Sequence, residues 1–122
     1  MEFEPYTVTV TVETDNHSFG HRRTATRFNN RTLCFATTAA TEPGARANHA
    51  VACQKYGLRN VWPVSEGELS ISTQTWVCDV EEGWATTVWR VGSSSVVLTC
   101  FWPTEAEAAE GHKAVARRYG AL

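Results

Sequence analysis

Two residue pairs and one run of arginines hold most of the chemistry this chain could perform. His49 and Cys53 stand four residues apart within a helical pattern and therefore share a face. His17 and His21 have the same spacing, in a segment whose Asp, Asn, Ser and Gly content reads as a loop. A zinc site needs four converging ligands with deprotonated thiolates. Neither pair has a second pair at a matching spacing, so no metal and no cofactor is expected. As nucleophile and base, Cys53 and His49 lack a neighbouring carboxylate to orient the imidazole and a glycine-rich loop to hold an oxyanion. They read as helix surface, and no catalytic residue is assigned. His112 lies with Ala108, Val115 and Tyr119 on the apolar stripe of the last helical segment. A single His there is either a hydrogen-bonded boundary residue or an acid–base group in a pocket walled by Trp89 and Trp102.

The run His21-Arg22-Arg23-Thr24-Ala25-Thr26-Arg27-Phe28-Asn29-Asn30-Arg31 contains four arginines and no acid. Arginines interleaved with an aromatic and amides can hold phosphates and stack a base. They can equally line a solvated strand edge, where charge discourages edge-to-edge pairing. The net charge of −2 is not the basic balance of a dedicated nucleic-acid binder, yet charge is unevenly spread. Residues 16–60 hold seven Arg and Lys against Glu42 alone, and residues 61–111 hold Arg90 against eight Asp and Glu.

A chain of 122 residues, 43% apolar and 20% charged, has the size and composition of one globular domain, expected over residues 1–122. It can bury about two-thirds of its unfolded surface without a metal or disulfide staple. Cys34, Cys53, Cys78 and Cys100 contain no C-x-x-C and three sit in apolar runs, so reduced, mostly buried thiols are expected, with Cys53 the one open to reagents. The acidic start Met1-Glu2-Phe3-Glu4-Pro5 lacks a basic segment followed by an apolar one, and no run is long enough to span a bilayer. The expectation is a soluble cytoplasmic protein with no membrane partner. Arginine preferred over lysine and valine over isoleucine point to a GC-rich, bacterial genome.

The elements that position these residues follow from periodicity. Residues 5–13 alternate strictly, with Tyr6, Val8, Val10 and Val12 on one face, which predicts a half-buried strand. A short polar strand over 22–28, a turn at Asn29-Asn30 and a strand over Thr32–Ala39 follow. Thr41 is placed as N-cap of a helix over 45–56 whose apolar face is Ala47, Ala50, Val51 and Leu58, with Gly57 as the left-handed terminator. Strands are predicted over 69–80, 84–91 and Val96–Trp102, with turns at Glu81-Glu82-Gly83 and Ser93-Ser94. Thr104-Glu105-Ala106-Glu107 is a capping box for a final helix ending near Tyr119-Gly120. The fold class is α+β, an antiparallel sheet with two helices in the order β-(β)-β-α-β-β-β-α.

Residues 44–120, with Tyr56-Gly57-Leu58 closing the first helix and an Ala-rich capped last helix, run α-β-β-β-α, an order that resembles a double-stranded-RNA-binding domain. That family carries lysines at the start of its last helix to hold phosphates. Here the position is Thr104-Glu105-Ala106-Glu107, whose carboxylates would repel them, so the family is not assigned.

Pairing Trp76 with Val88 and Trp89 with Leu98 puts Ile71, Val77, Ala85, Trp89, Val91, Val96, Leu98, Cys100 and Trp102 on a core face. Trp76, Cys78, Val88, Val97 and Phe101 then form a mixed second face. N-terminal strands cover that face or a partner docks on it. The leading expectation is a non-enzymatic module that docks on another macromolecule, of the immunity, anti-defence or adaptor kind. Its surface would be Arg22, Arg23, Arg27 and Arg31 or the Trp76–Val88–Phe101 face, and its expected partner is another protein. The alternatives are a small-molecule site or small enzyme using His112, Trp89 and Trp102, and nucleic-acid binding through Arg22–Arg31.

Overall fold

A computed structural model describes residues 3–16, 20–30, 32–78 and 81–122. In chain order the elements are β1 (Tyr6–Asn16), β2 (Arg22–Phe28), β3 (Thr32–Ala39), α1 (Glu42–Lys55), β4 (Val64–Cys78), β5 (Glu81–Arg90), β6 (Val96–Trp102) and α2 (Glu105–Arg118). The fold is α+β with the expected element order, and the antiparallel strands are hydrogen-bonded in the order β3-β2-β1-β4-β5-β6. Among the described residues no helix is long and apolar enough to cross a membrane.

The chain divides into two compact units. The first is Thr9–Glu68, and the second joins Met1–Val8 to Leu69–Leu122, so β1 and β4 each give residues to both. In the first unit, alternation buries Val10, Val12 and Thr14 of β1 against Thr24, Thr26 and Phe28 of β2. Asn29 and Asn30 take positive φ (52° and 57°) in the connection to β3, a conformation that asparagine tolerates better than most residues. In the second unit Leu69, Ile71 and Thr73 of β4 pack with Thr86 and Val88 of β5 under Ala108, Val115 and Tyr119 of α2. Both helices start at a threonine cap: Thr41 accepts from the Gly44 amide and Thr104 from the Glu107 amide, each at 3.2 Å. Both also end at a left-handed glycine, Gly57 and Gly120.

Three expectations about faces are overturned. The buried face of α1 is Ala45, His49 and Cys53, while Val51 is 66% exposed. Ala47 and Ala50 gave little apolar weight to decide the phase, and His49 finds buried partners that satisfy its ring. The predicted turn at 81–83 is strand: Cys78 pairs with Glu81 and Trp76 with Gly83, while residues 79–80 lie outside the described set. Gly83 serves close approach, because a Cβ there would stand 2.8 Å from the Trp102 carbonyl oxygen. Finally, Val88 pairs with Leu98 and Trp89 with Val96, leaving Val97 as the extra residue of a bulge. Those shifts turn Thr86 and Val88 inward and leave Trp89 39% exposed.

Cys34, Cys53 and Cys100 are free thiols, and Cys78 has a side chain outside the described set. Cys34 is exposed and Cys53 is buried, which corrects the expectation that Cys53 would be the accessible thiol. A thiol reagent under native conditions should therefore modify Cys34 much faster than Cys53, read by peptide mass. Faster modification of Cys53 would contradict the burial of this α1 face.

Candidate functional site

A matching side-chain cluster occurs in each unit. In the first, Thr14 and Thr24 are cross-strand partners on β1 and β2, with hydroxyl oxygens 2.7 Å apart. His49 of α1 places Nδ1 3.0 Å from Thr14 Oγ1 and Nε2 2.9 Å from the Val61 carbonyl oxygen, with Ser65 Oγ at 3.0 Å. In the second, Thr73 and Thr86 are partners on β4 and β5, with oxygens 2.7 Å apart. His112 of α2 places Nδ1 2.6 Å from Thr73 Oγ1 and Nε2 2.7 Å from the Glu4 carbonyl oxygen.

Proton bookkeeping gives each cluster a direction. A main-chain carbonyl only accepts, so Nε2 carries the proton and Nδ1 accepts. Thr14 and Thr73 must then donate to the imidazoles, and Thr24 and Thr86 must donate to Thr14 and Thr73. Each chain of bonds ends on a threonine with only acceptor capacity left. In the second unit that acceptor is used: Trp102 Nε1–H donates to Thr86 Oγ1 at 2.9 Å. Both imidazoles are hydrogen-bonded at both nitrogens and buried, with the residues 0% and 4% exposed. Burial pushes the His49 pKa below its ordinary value, and the Val61 hydrogen bond offsets part of that. Burial also pushes the Cys53 thiol up, with Ser65 opposing, so it stays protonated and unreactive.

The correspondence extends along both units and is written in the sequence. Thr41-Glu42, His49 and Tyr56-Gly57 recur at the same spacings as Thr104-Glu105, His112 and Tyr119-Gly120. The strand registers agree: Thr24 pairs with Thr37 as Thr86 pairs with Cys100, and Arg22 with Ala39 as Trp84 with Trp102. A register shift follows Thr26 in β2, as one follows Val88 in β5. The chain is thus a βββα unit repeated, and the α-β-β-β-α window that resembles an RNA-binding domain straddles the repeat boundary. This repeat is the signal that sequence reasoning missed.

The two units differ at one place. In the second, the Trp102 ring lies against Gly111, where any Cβ would collide with it. In the first, Ala39 stands at the Trp102 position and Asn48 at the Gly111 position. The space beside Thr24 is correspondingly open, a cleft of about 250 Å³ between β2, β3 and α1 lined by Thr24, Phe35, Asn48, Val51, Ala52 and Tyr56 among others. Phe35 is 58% exposed at this cleft.

The residues expected to form a site are dispersed. Arg22 reaches Glu42 at 3.2 Å, and Arg46 shares that carboxylate at 3.5 Å. Arg22 is the main cause that holds the Glu42 carboxyl below its usual pKa. Arg23 and Arg27 alternate with the inward Thr24 and Thr26 and so take the other face of β2, paired in register with Asp15 and Thr11. Arg31, His17 and the side chain of Trp76 lie outside the described residues. Val88 is fully buried whereas Phe101 is 57% exposed, so the structure does not bring these two onto one face. Of the pocket alternative, His112 and Trp102 meet the same threonine pair from opposite ends, but Trp89 does not join them. Among the described residues no three His, Cys, Asp or Glu side chains cluster as metal ligands would. No protein-family model matches the chain, and no curated protein or solved structure is significantly similar to it.

Two outcomes follow. Gly111→Ala should lower the denaturation midpoint, because overpacking against Trp102 costs about 1–3 kcal/mol and outweighs a helix-propensity gain of about 1 kcal/mol. Asn48→Ala, facing the open cleft, should leave the midpoint unchanged or raise it; equal losses at both positions would contradict the difference between the units. The lowered His49 pKa also links stability to pH. The unfolded imidazole takes up a proton as pH falls through the ordinary value of 6.5, while the folded one resists. The His49 contribution is therefore full above that value and declines as pH drops toward the lowered native pKa. A midpoint that is flat between pH 7 and 5, or that falls equally in His49→Gln, would contradict this.

Proposed function

We propose that this chain is a non-catalytic binding module and that the cleft of the first unit receives its ligand. The observation that carries this reading is the difference between the units: the second places Trp102 beside Thr86 and Gly111, and the first has a cleft lined by the matching Thr24 and Asn48. Exposed apolar surface at Phe35 and Val51 adds support, since a ligand entering the cleft would cover it. The imidazoles are bonded at both nitrogens and the Cys53 thiol is buried, which favours binding over catalysis. The arginine run has less support as the recognition surface, because Arg22 is engaged by Glu42 and Arg23 pairs in register with Asp15. An exposed thiol at Cys34 suits a reducing compartment, and a cytoplasmic location belongs to this reading.

Amide-resolved NMR during titration with a small set of aromatic and aliphatic fragments tests it. Binders should move the resonances of Thr24, Asn48, Val51 and Ala52 together. Binders that map only to other surfaces, or a cleft that takes no fragment, would overturn the proposal.

A further inference from the structure

We infer that the cleft of the first unit is a site for a planar N–H heteroaromatic ring of the indole class, anchored by an N–H···O bond to Thr24. The inference rests on the reading of the cleft as a binding site and adds the chemistry of its occupant. Three observations carry it. The direction of the hydrogen-bond chain leaves Thr24 Oγ1 able only to accept, so a buried ligand atom beside it must be a donor. The equivalent acceptor, Thr86 Oγ1, takes an indole N–H, and the equivalent helix position, Gly111, touches the same ring. The cleft volume of about 250 Å³ lies below the range of about 300–1,000 Å³ typical of drug-sized ligand sites, which suits a single ring system.

The ring does not copy Trp102 atom for atom. Asn48 stands where glycine makes room in the second unit, so the occupant sits further toward Phe35 and Val51. There its faces meet the apolar side chains of Phe35, Val51 and Ala52, while Asn48, Lys55 and the threonines of β2 and β3 supply the polar part of the lining. An indole-type ring has two sources, a free small molecule or the tryptophan side chain of a partner, and the ring chemistry is shared.

The test uses the intact chain and defined probes, read by calorimetry with NMR to locate the site. Indole should bind at Thr24 and Asn48, and 1-methylindole, which has no N–H, should bind about tenfold more weakly, the scale of one lost hydrogen bond. Thr24→Ser should retain that preference and Thr24→Val should abolish it. Should Thr24→Val fail to fold, the double substitution Ala39→Trp with Asn48→Gly, which rebuilds the plugged arrangement, should eliminate indole binding. If 1-methylindole binds in the cleft as tightly as indole, the N–H inference is overturned and the binding-site reading survives. If neither probe nor any other fragment enters the cleft, both fail. A comparison of 3-methylindole with N-acetyl-tryptophanamide separates the sources. Tighter binding of the first supports a free molecule, and tighter binding of the second supports a tryptophan side chain.

Discussion

The buried imidazole of each unit is the constraint around which the rest is arranged. A histidine removed from water must have both ring nitrogens satisfied, and an unmet buried group costs about 1–3 kcal/mol. His49 meets that demand with a hydroxyl from β1 and a carbonyl from the segment before β4, and His112 with a hydroxyl from β4 and a carbonyl before β1. Each ring therefore ties its helix to the sheet and to a second stretch of chain. The carbonyl fixes the tautomer, the tautomer fixes the first hydroxyl, and the first hydroxyl fixes the second. A structural requirement at one end becomes a chemical property at the other: a threonine oxygen that can only accept.

What the chain does with that oxygen separates the units. Beside Thr86 it supplies a tryptophan from β6 and makes room for that ring on α2 with Gly111. Beside Thr24 it supplies alanine from β3 and asparagine from α1, leaving a cleft and a polar rim. Two coordinated differences, large to small on the strand and glycine to amide on the helix, turn a plugged core into an open one. The second unit closes the space beside its threonine pair with a side chain of its own, and the first has a cleft beside the matching pair.

Much of the architecture was legible because local rules and tertiary structure agree. Tyr6 to Val12 alternate in sequence as in the sheet, the limits of β2 and β3 match expectation, and both helices have the threonine caps and glycine ends that their sequences announce. The failures lie where long-range contacts decide. His49 looked like surface because its partners are 35 and 12 residues away and none is visible from the helix. The inward phase of β5 depends on a bulge opposite it and on Gly83 yielding space to a strand rather than making a turn. The repeat escaped notice because its units share few residues, those that cap, bury or terminate. The cleft has no local signature, because it depends on Ala39 and Asn48 standing where the other unit has Trp102 and Gly111.

The most direct measurement of the central claim is the number of indole molecules bound per chain, by calorimetry, before and after Trp102→Ala. Removing that half-buried ring should cost less than the roughly 3–5 kcal/mol of a fully buried Trp→Ala change and should open space beside Thr86 in the second unit. One molecule should bind to the native chain and two to the variant, with the second restoring part of the lost stability. A native chain that binds none, or a variant that still binds only one, would contradict the proposed likeness between the Trp102 ring and the ligand of the cleft.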